Sequence, residues 1–463
     1  MLTSSRFRTF SFPCFVLLAG VFGCSSSSTN TQGNQTNADG GEPATCNKAP
    51  ATGYTQVVPP STIENTDVGP HTAMTLSKDG YPVIAYFVND ATATTATLYS
   101  VRWDPCAGAW AAPIMIDSRI GLQSRAPRRE ISITTDPVDG RIGIAYKKLY
   151  FIKMPNATNA AFVSLSTDGG KTFGAGAKVS VHGVETSGEA GDIEEVNDPQ
   201  IALGGGKTYV AYTQTSEACG PASGGNLPPC ETGIILATGG AAGAPFTQEI
   251  MKDGLDPVYD GYARGADFHL GLALDGKGVP AIAAFVAPAA MYNTKLMFFR
   301  PGTLGTLIMD SANKQNDNSS TALAFDGTSP RVLSRLSNGT NDNGNLQFFS
   351  SSDGATWSAP LLLPLDGTVN TPDTQALLDD GKGMIVALSQ SDDSDGSAFP
   401  GPKFWRASDL TTFKIGSAGA AGTTTPHGAY MSGALTKSGK IAMGFYGDAP
   451  AITKSGVVYW SEP

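Results

Sequence analysis

A module of roughly 50 to 70 residues recurs seven times along this chain, and that repetition constrains its fold more than any other feature. Each copy has a short strand, a Gly-containing turn and a second strand rich in Ile, Ala, Val and Tyr. A variable loop, a third strand and often a fourth follow. The first two copies read HTAMTLSKDGYPVIAYF from His71 and REISITTDPVDGRIGIAY from Arg129. The next three read DPQIALGGGKTYVAYT from Asp198, HLGLALDGKGVPAIAAF from His269 and STALAFDGTSPRVLSRL from Ser320. The last two are DTQALLDDGKGMIVALS from Asp373 and YMSGALTKSGKIAMGFY from Tyr430. Long runs of helical periodicity are absent, and Gly, Asp, Pro and Asn punctuate the strand-like runs.

The expected fold class is all-β, a β-propeller with one blade per copy. The count predicts seven blades, with a six-bladed ring as the alternative and a β-sandwich plus a smaller domain behind both. The last copy runs out of chain after its third strand, at Tyr459 and Trp460. The segment YTQVVP from Tyr54 precedes the first copy and is available as the missing fourth strand, closing the ring and removing a free edge.

Ser166-Thr167-Asp168-Gly169-Gly170-Lys171-Thr172-Phe173 fills every position of the S-x-D-x-G-x-T-[WF] pattern, and this segment resembles the Asp-box (BNR repeat) of sialidase-like propellers. Ser351 to Trp357, with Asp353, is the same motif one residue short. Fainter echoes stand at Ser408, Asp409, Thr412 and Phe413, and at Asp104 with Trp110. All fall between expected third and fourth strands. Physically, Ser166, Asp168, Gly170, Thr172, Phe173, Asp353 and Trp357 suit a turn held by side-chain hydrogen bonds over an aromatic floor. The resemblance implies, for enzymes of that family, three arginines gripping a carboxylate, a Tyr–Glu nucleophile pair and an Asp acid/base. Arg128, Arg129, Arg264, Arg331, Arg335, Glu130, Glu194, Glu195 and Tyr262 are available, yet they do not map one by one onto that pattern. A sialidase proper is therefore not the expectation.

The N-terminus carries Arg6 and Arg8, an apolar stretch from Phe12 to Phe22, and Val21-Phe22-Gly23-Cys24. The stretch is too short to span a bilayer and resembles a bacterial lipoprotein signal with Cys24 as the lipidated residue; Phe22 departs from the small residue usual there. Residues 1–23 are read as the signal, 24–48 as a polar tether and 49–463 as one propeller domain. The expected location is the cell envelope, lipid-anchored to a membrane (the outer membrane, on its periplasmic or surface side), with plain secretion as the alternative. Of the remaining cysteines, Cys219 and Cys230 bracket one Gly/Pro-rich loop, which leaves Cys46 to pair with Cys106 in an oxidising compartment. Cysteine spacing suited to zinc is absent. A net charge of −10 with 31 basic residues argues against a nucleic-acid partner.

Aligning the copies on their Gly turns brings His71, Arg128, Asp198, His269, Ser320, Asp373 and His427 (or Tyr430) to the beginning of each first strand, where a propeller opens its central channel. Tyr262 and Arg264 stand in the loop just before His269 and suit a sugar face and its hydroxyls. The acidic loop before Asp198 suits a cation or bare solvent. Such a ring of imidazoles and carboxylates is equipped for a divalent cation (calcium or another), a sugar, or acid–base chemistry; polar channel walls that merely hold water read the same way. Otherwise the sequence specifies no cofactor. The expected function is binding of a glycan or an envelope protein at the channel mouth, with a glycan-active enzyme (a glycoside hydrolase, a sialidase-like enzyme or a polysaccharide lyase) as the alternative.

Overall fold

The second strand of each repeat carries the most continuous apolar run, and in the computed structural model it is the most enclosed. Pro82–Asn89 and Pro280–Val286 are buried along nearly their whole length, because blades cover both of their faces. Outermost strands such as Thr306–Asp310 alternate between partial burial and exposure. The structure describes residues 46–58, 68–89, 95–121, 131–153, 156–180, 194–216, 232–240, 245–255, 270–286, 295–310, 320–336, 345–364, 372–379, 385–391, 403–407, 412–417, 431–447 and 456–463. Cys46–Pro463 forms one compact unit.

The described residues form seven antiparallel sheets, one from each repeat. Blade 1 comprises Val68–Leu76, Pro82–Asn89, Thr95–Asp104 and Ile114–Gly121, with the short Ala109–Trp110 folded back on the third strand. Blade 2 comprises Ile131–Thr135, Ile142–Lys153, Asn156–Ser166 and Ala177–Lys178, and blade 3 Glu194–Gly204, Lys207–Ser216, Thr232–Gly239 and Thr247–Leu255. Gly271–Leu274, Pro280–Val286, Lys295–Phe299 and Thr306–Asp310 make blade 4. Blade 5 runs through Ser320–Asp326, Ser329–Leu336, Asn345–Ser350 and Leu361–Leu362. Blade 6 runs through Pro372–Asp379, Ile385–Ser391, Lys403–Ala407 and Lys414–Ser417. Blade 7 takes Ser432–Leu435, Ile441–Gly447 and Gly456–Ser461 from the C-terminus and Gly53–Val58 from the N-terminus.

First strands touch one another in order from blade 1 to blade 7, and the strand of blade 7 touches that of blade 1. This is a closed β-propeller. Seven apolar clusters fill the seven interfaces between neighbouring blades, for example Phe87, Leu98, Tyr146 and Phe162 between blades 1 and 2 and Leu333, Phe348 and Trp405 between blades 5 and 6. Near the axis the strands approach so closely that a Cβ on Gly271 would stand 2.7 Å from the Leu323 backbone nitrogen. Closure is made as the repeat count requires: Tyr54 pairs with Trp460 in an antiparallel ladder. A disulfide between Cys46 and Cys106 fastens the entering chain to blade 1, and the Trp103 indole donates to the Lys48 carbonyl at 2.6 Å. Cys24, Cys219 and Cys230 lie outside the described residues.

In such a meander, the turns joining first to second and third to fourth strands share one face, here the turn face. The remaining loops and the starts of the first strands share the opposite, mouth face. The complete Asp-box and its shortened copy at Ser351 to Trp357 both lie on the turn face. Asp168 accepts from the Lys171 and Thr172 amides, each at 2.9 Å, and from the Thr172 hydroxyl at 2.6 Å; Ser166 accepts from the Gly170 amide at 2.9 Å. Gly170 adopts a φ of 83°, which L side chains rarely reach. Asp353 repeats the arrangement with Ala355 and Thr356, and Trp357 packs edge-on to Phe298. Desolvation pushes the Asp168 carboxyl up, but hydrogen bonds from the Thr172 hydroxyl and amide, the Ser166 hydroxyl and the Lys171 amide together outweigh it and hold the carboxyl below its ordinary value. The Thr356 and Ala355 amides lower Asp353 likewise. Carboxylates depressed on folding stabilise above the unfolded pKa and lose that stabilisation as pH falls through the folded one. The double variant Asp168→Asn, Asp353→Asn is therefore expected to show a shallower fall in melting temperature below pH ~4 than wild type. Parallel acid limbs in a melting-temperature series against pH would contradict this.

Candidate functional site

At the axis the first strands enclose a cavity of about 240 Å³ lined from all seven blades. Its wall is mixed: Met74, Ile131, Ile201, Leu272, Leu323 and Leu377 are apolar, whereas His71, Thr72, Ser132, Gln200, Thr321 and Ser432 bring polar groups.

Ladder irregularities cluster at the mouth. In blade 1 the register slips between Val68 and Thr72, in blade 3 between Asn197 and Gln200, and in blade 6 between Pro372 and Gln375. The extra residues include His71, Asp198 and Asp373, three of the positions the sequence alignment singled out. A bulge bends the strand and re-aims the side chain it carries. Thr72 closes the first bulge by donating to the Gly69 carbonyl at 2.9 Å, and the buried His71 ring stands edge-on to Phe87, 5.6 Å between centroids.

Asp198 has a φ of 51°, the one non-glycine in the left-handed region among the described residues, and it precedes Pro199, which further restricts its backbone. Its carboxylate, 3% exposed, accepts from the backbone N–H of Leu270 in the approach to blade 4 and from the Gln200 amide at 2.8 Å. Strain at a buried acid is held only where its surroundings fix it, and here the fixing contact crosses to the next blade.

The structure adds charged groups that the alignment did not select. Lys147, 2% exposed, donates from Nζ to Asn197 Oδ1 at 2.9 Å, from blade 2 to blade 3. Arg335, also 2% exposed, is the register partner of Ser320 at the start of blade 5. Lys403 is buried at the same end of blade 6. Buried cations are costly unless hydrogen-bonded, so the placement of these three toward the mouth face is informative. Their signal in the sequence is uneven: Lys147 follows the apolar run Ile142 to Tyr146, whereas Arg335 stands in the mixed segment Arg331-Val332-Leu333-Ser334-Arg335-Leu336.

Of the sequence-selected residues, the structure brings His71 and Asp198 to the mouth and places the Asp373 backbone in the blade 6 bulge. Arg128, Tyr262, Arg264, His269 and His427 lie outside the described residues. Among the described residues no group of three His, Cys, Asp or Glu side chains converges as a metal site. Chemically, the mouth offers fixed donors on rigid strands, while both Asp198 oxygens are engaged with protein donors.

No protein-family model and no characterised protein sequence matches the chain. Solved structures similar to it include a protein of unknown function from Dyadobacter fermentans, with 14% identity, 88% of this chain and 98% of that one covered, and a TM-score of 0.48. An α-L-arabinanase from Penicillium chrysogenum is similar at 14% identity over 74% of this chain and 94% of that one, TM-score 0.43. A sialidase from Trypanosoma rangeli is similar at 13% identity over 89% of this chain and 59% of that one, TM-score 0.44.

Proposed function

We propose that this chain is an exported, lipid-anchored propeller of the bacterial envelope that binds a carbohydrate at the mouth of its central channel. The observation that carries this reading is the set of buried polar groups at that mouth: Lys147 on Asn197, Asp198 on Leu270, His71 in its bulge and Arg335 beside Ser320. Pre-placed donors mounted on strands select hydroxyl-rich or carboxylate-bearing ligands at low ordering cost. A protein partner is the other expected occupant of this face.

The engagement of both Asp198 oxygens favours binding over acid–base chemistry. The strained backbone at the same residue is the feature that favours the alternative, a glycan-active hydrolase or lyase. Screening the full chain in detergent against neutral and acidic oligosaccharides by calorimetry, with and without calcium and with a chelator, tests the binding and the cation together. Lys147→Met and Arg335→Met, which keep most of the buried aliphatic stem, are each expected to weaken binding about tenfold, the worth of one charge-assisted hydrogen bond. Unchanged affinity in both variants removes the mouth as the site. Release of new sugar ends during the titration establishes the enzyme instead.

A further inference from the structure

The chain enters the propeller on the turn face. Cys46 is bonded to Cys106 in the turn between the third and fourth strands of blade 1, and the Cys46 carbonyl accepts from the Tyr81 hydroxyl, in the turn between its first and second strands. The same face carries uncovered apolar side chains on turns: Leu304 of blade 4 is 96% exposed and Val138 of blade 2 is 75% exposed, while Val279, closing a turn of blade 4, is 37% exposed. Met115, Leu307 and Leu362, also exposed, are each the second residue of a strand leaving a turn on this face.

We propose that the turn face is a membrane-contacting surface, with Val138, Val279 and Leu304 resting in the lipid headgroup boundary and the channel mouth directed away from the bilayer. This rests on the lipid anchor of the proposed function. The occupant is argued from where the chain enters: residues 25–45 separate Cys24 from Cys46 and span at most about 70 Å, and they join the propeller on the face that carries the apolar tips. One lipidated cysteine supplies the attachment. Shallow burial of apolar tips adds a second, weaker contact that sets orientation, since partitioning at an interface scales with the apolar area removed from water. The disulfide then has a positional role, because it fixes the entry point to blade 1.

The test is hydrogen exchange on the full lipidated chain bound to phosphatidylethanolamine–phosphatidylglycerol vesicles, compared with the double variant Val138→Glu, Leu304→Glu on the same vesicles. In the wild type, amides of residues 137–140 and 301–305 are expected to slow on the order of tenfold relative to the Cys24→Ser chain in solution, while those of 131–134 and 320–323 on the mouth side of the first strands stay unchanged. In the double variant the turn amides are expected to return to solution rates although the chain still sediments with lipid. Sedimentation without any slowing at the turns overturns the orientation and leaves the anchor standing. Failure of the full chain to sediment overturns the anchor and this proposal together. Slowing confined to the mouth side reverses the proposed orientation and overturns it as well.

Discussion

Replacing Cys46 and Cys106 together with alanine is expected to lower unfolding free energy by about 4 kcal/mol, from the chain entropy of a loop this long. The sequence separation is 60 residues, so the cross-link removes many unfolded conformations. Its placement adds a second reason for a large effect. Gly53–Val58 is the outer strand of blade 7, and the segment just before it is held on blade 1 by the disulfide. Loss of the bond leaves the Trp103–Lys48 hydrogen bond and the ladder from Gly53 to Val58 to hold the ring shut. Denaturant unfolding of the oxidised wild type and the double variant checks the magnitude. Hydrogen exchange locates it, with Tyr54 to Val58 expected to lose protection first. A loss below about 1 kcal/mol with closure-strand protection intact would show that the ladder alone closes the ring.

Asp198→Ala is expected to cost about 3 kcal/mol, because it removes a buried acceptor and leaves a non-glycine residue in the left-handed region. The Leu270 N–H and the Gln200 amide both lose their carboxylate partner. Two companion variants separate the causes. Asp198→Asn keeps an acceptor oxygen and a residue tolerant of positive φ, so its cost should be the smallest of the three. Asp198→Gly relieves the backbone but loses the acceptor, and should fall between. Equal costs for alanine and asparagine would discard the hydrogen-bond account; equal costs for alanine and glycine would discard the strain account. Ligand affinity should follow the same order if the bulge positions the mouth.

Features legible in the sequence are local or periodic. Seven Gly-turn modules gave the number of sheets, because a short apolar second strand must be covered on both faces and stacking of like units is the simplest way to cover it. The Asp-box could be read residue by residue because its bonds span only two to four residues. The use of the Tyr54 segment as the fourth strand of the last blade followed from a repeat one strand short, whereas its register, Tyr54 opposite Trp460, came from the structure. Alignment of the repeats also brought His71, Asp198 and Asp373 to equivalent places, since a bulge adds a residue without erasing the apolar pattern after it.

Tertiary structure alone decided what those residues do. Lys147 meets Asn197 across 50 residues and Asp198 meets Leu270 across 72, and both contacts join different blades. Nothing in either repeat encodes the partner, because the periodic pattern fixes which face of a strand is buried but not which neighbouring side chain shares that face. The left-handed backbone at Asp198 is hidden for the same reason: the Asp-Pro dipeptide favours extended backbone, and the cross-blade bond to Leu270 overrides that local preference. Sequence therefore determined the propeller and its turns, through local hydrogen bonding and burial. The mouth was determined by the packing of one blade against the next.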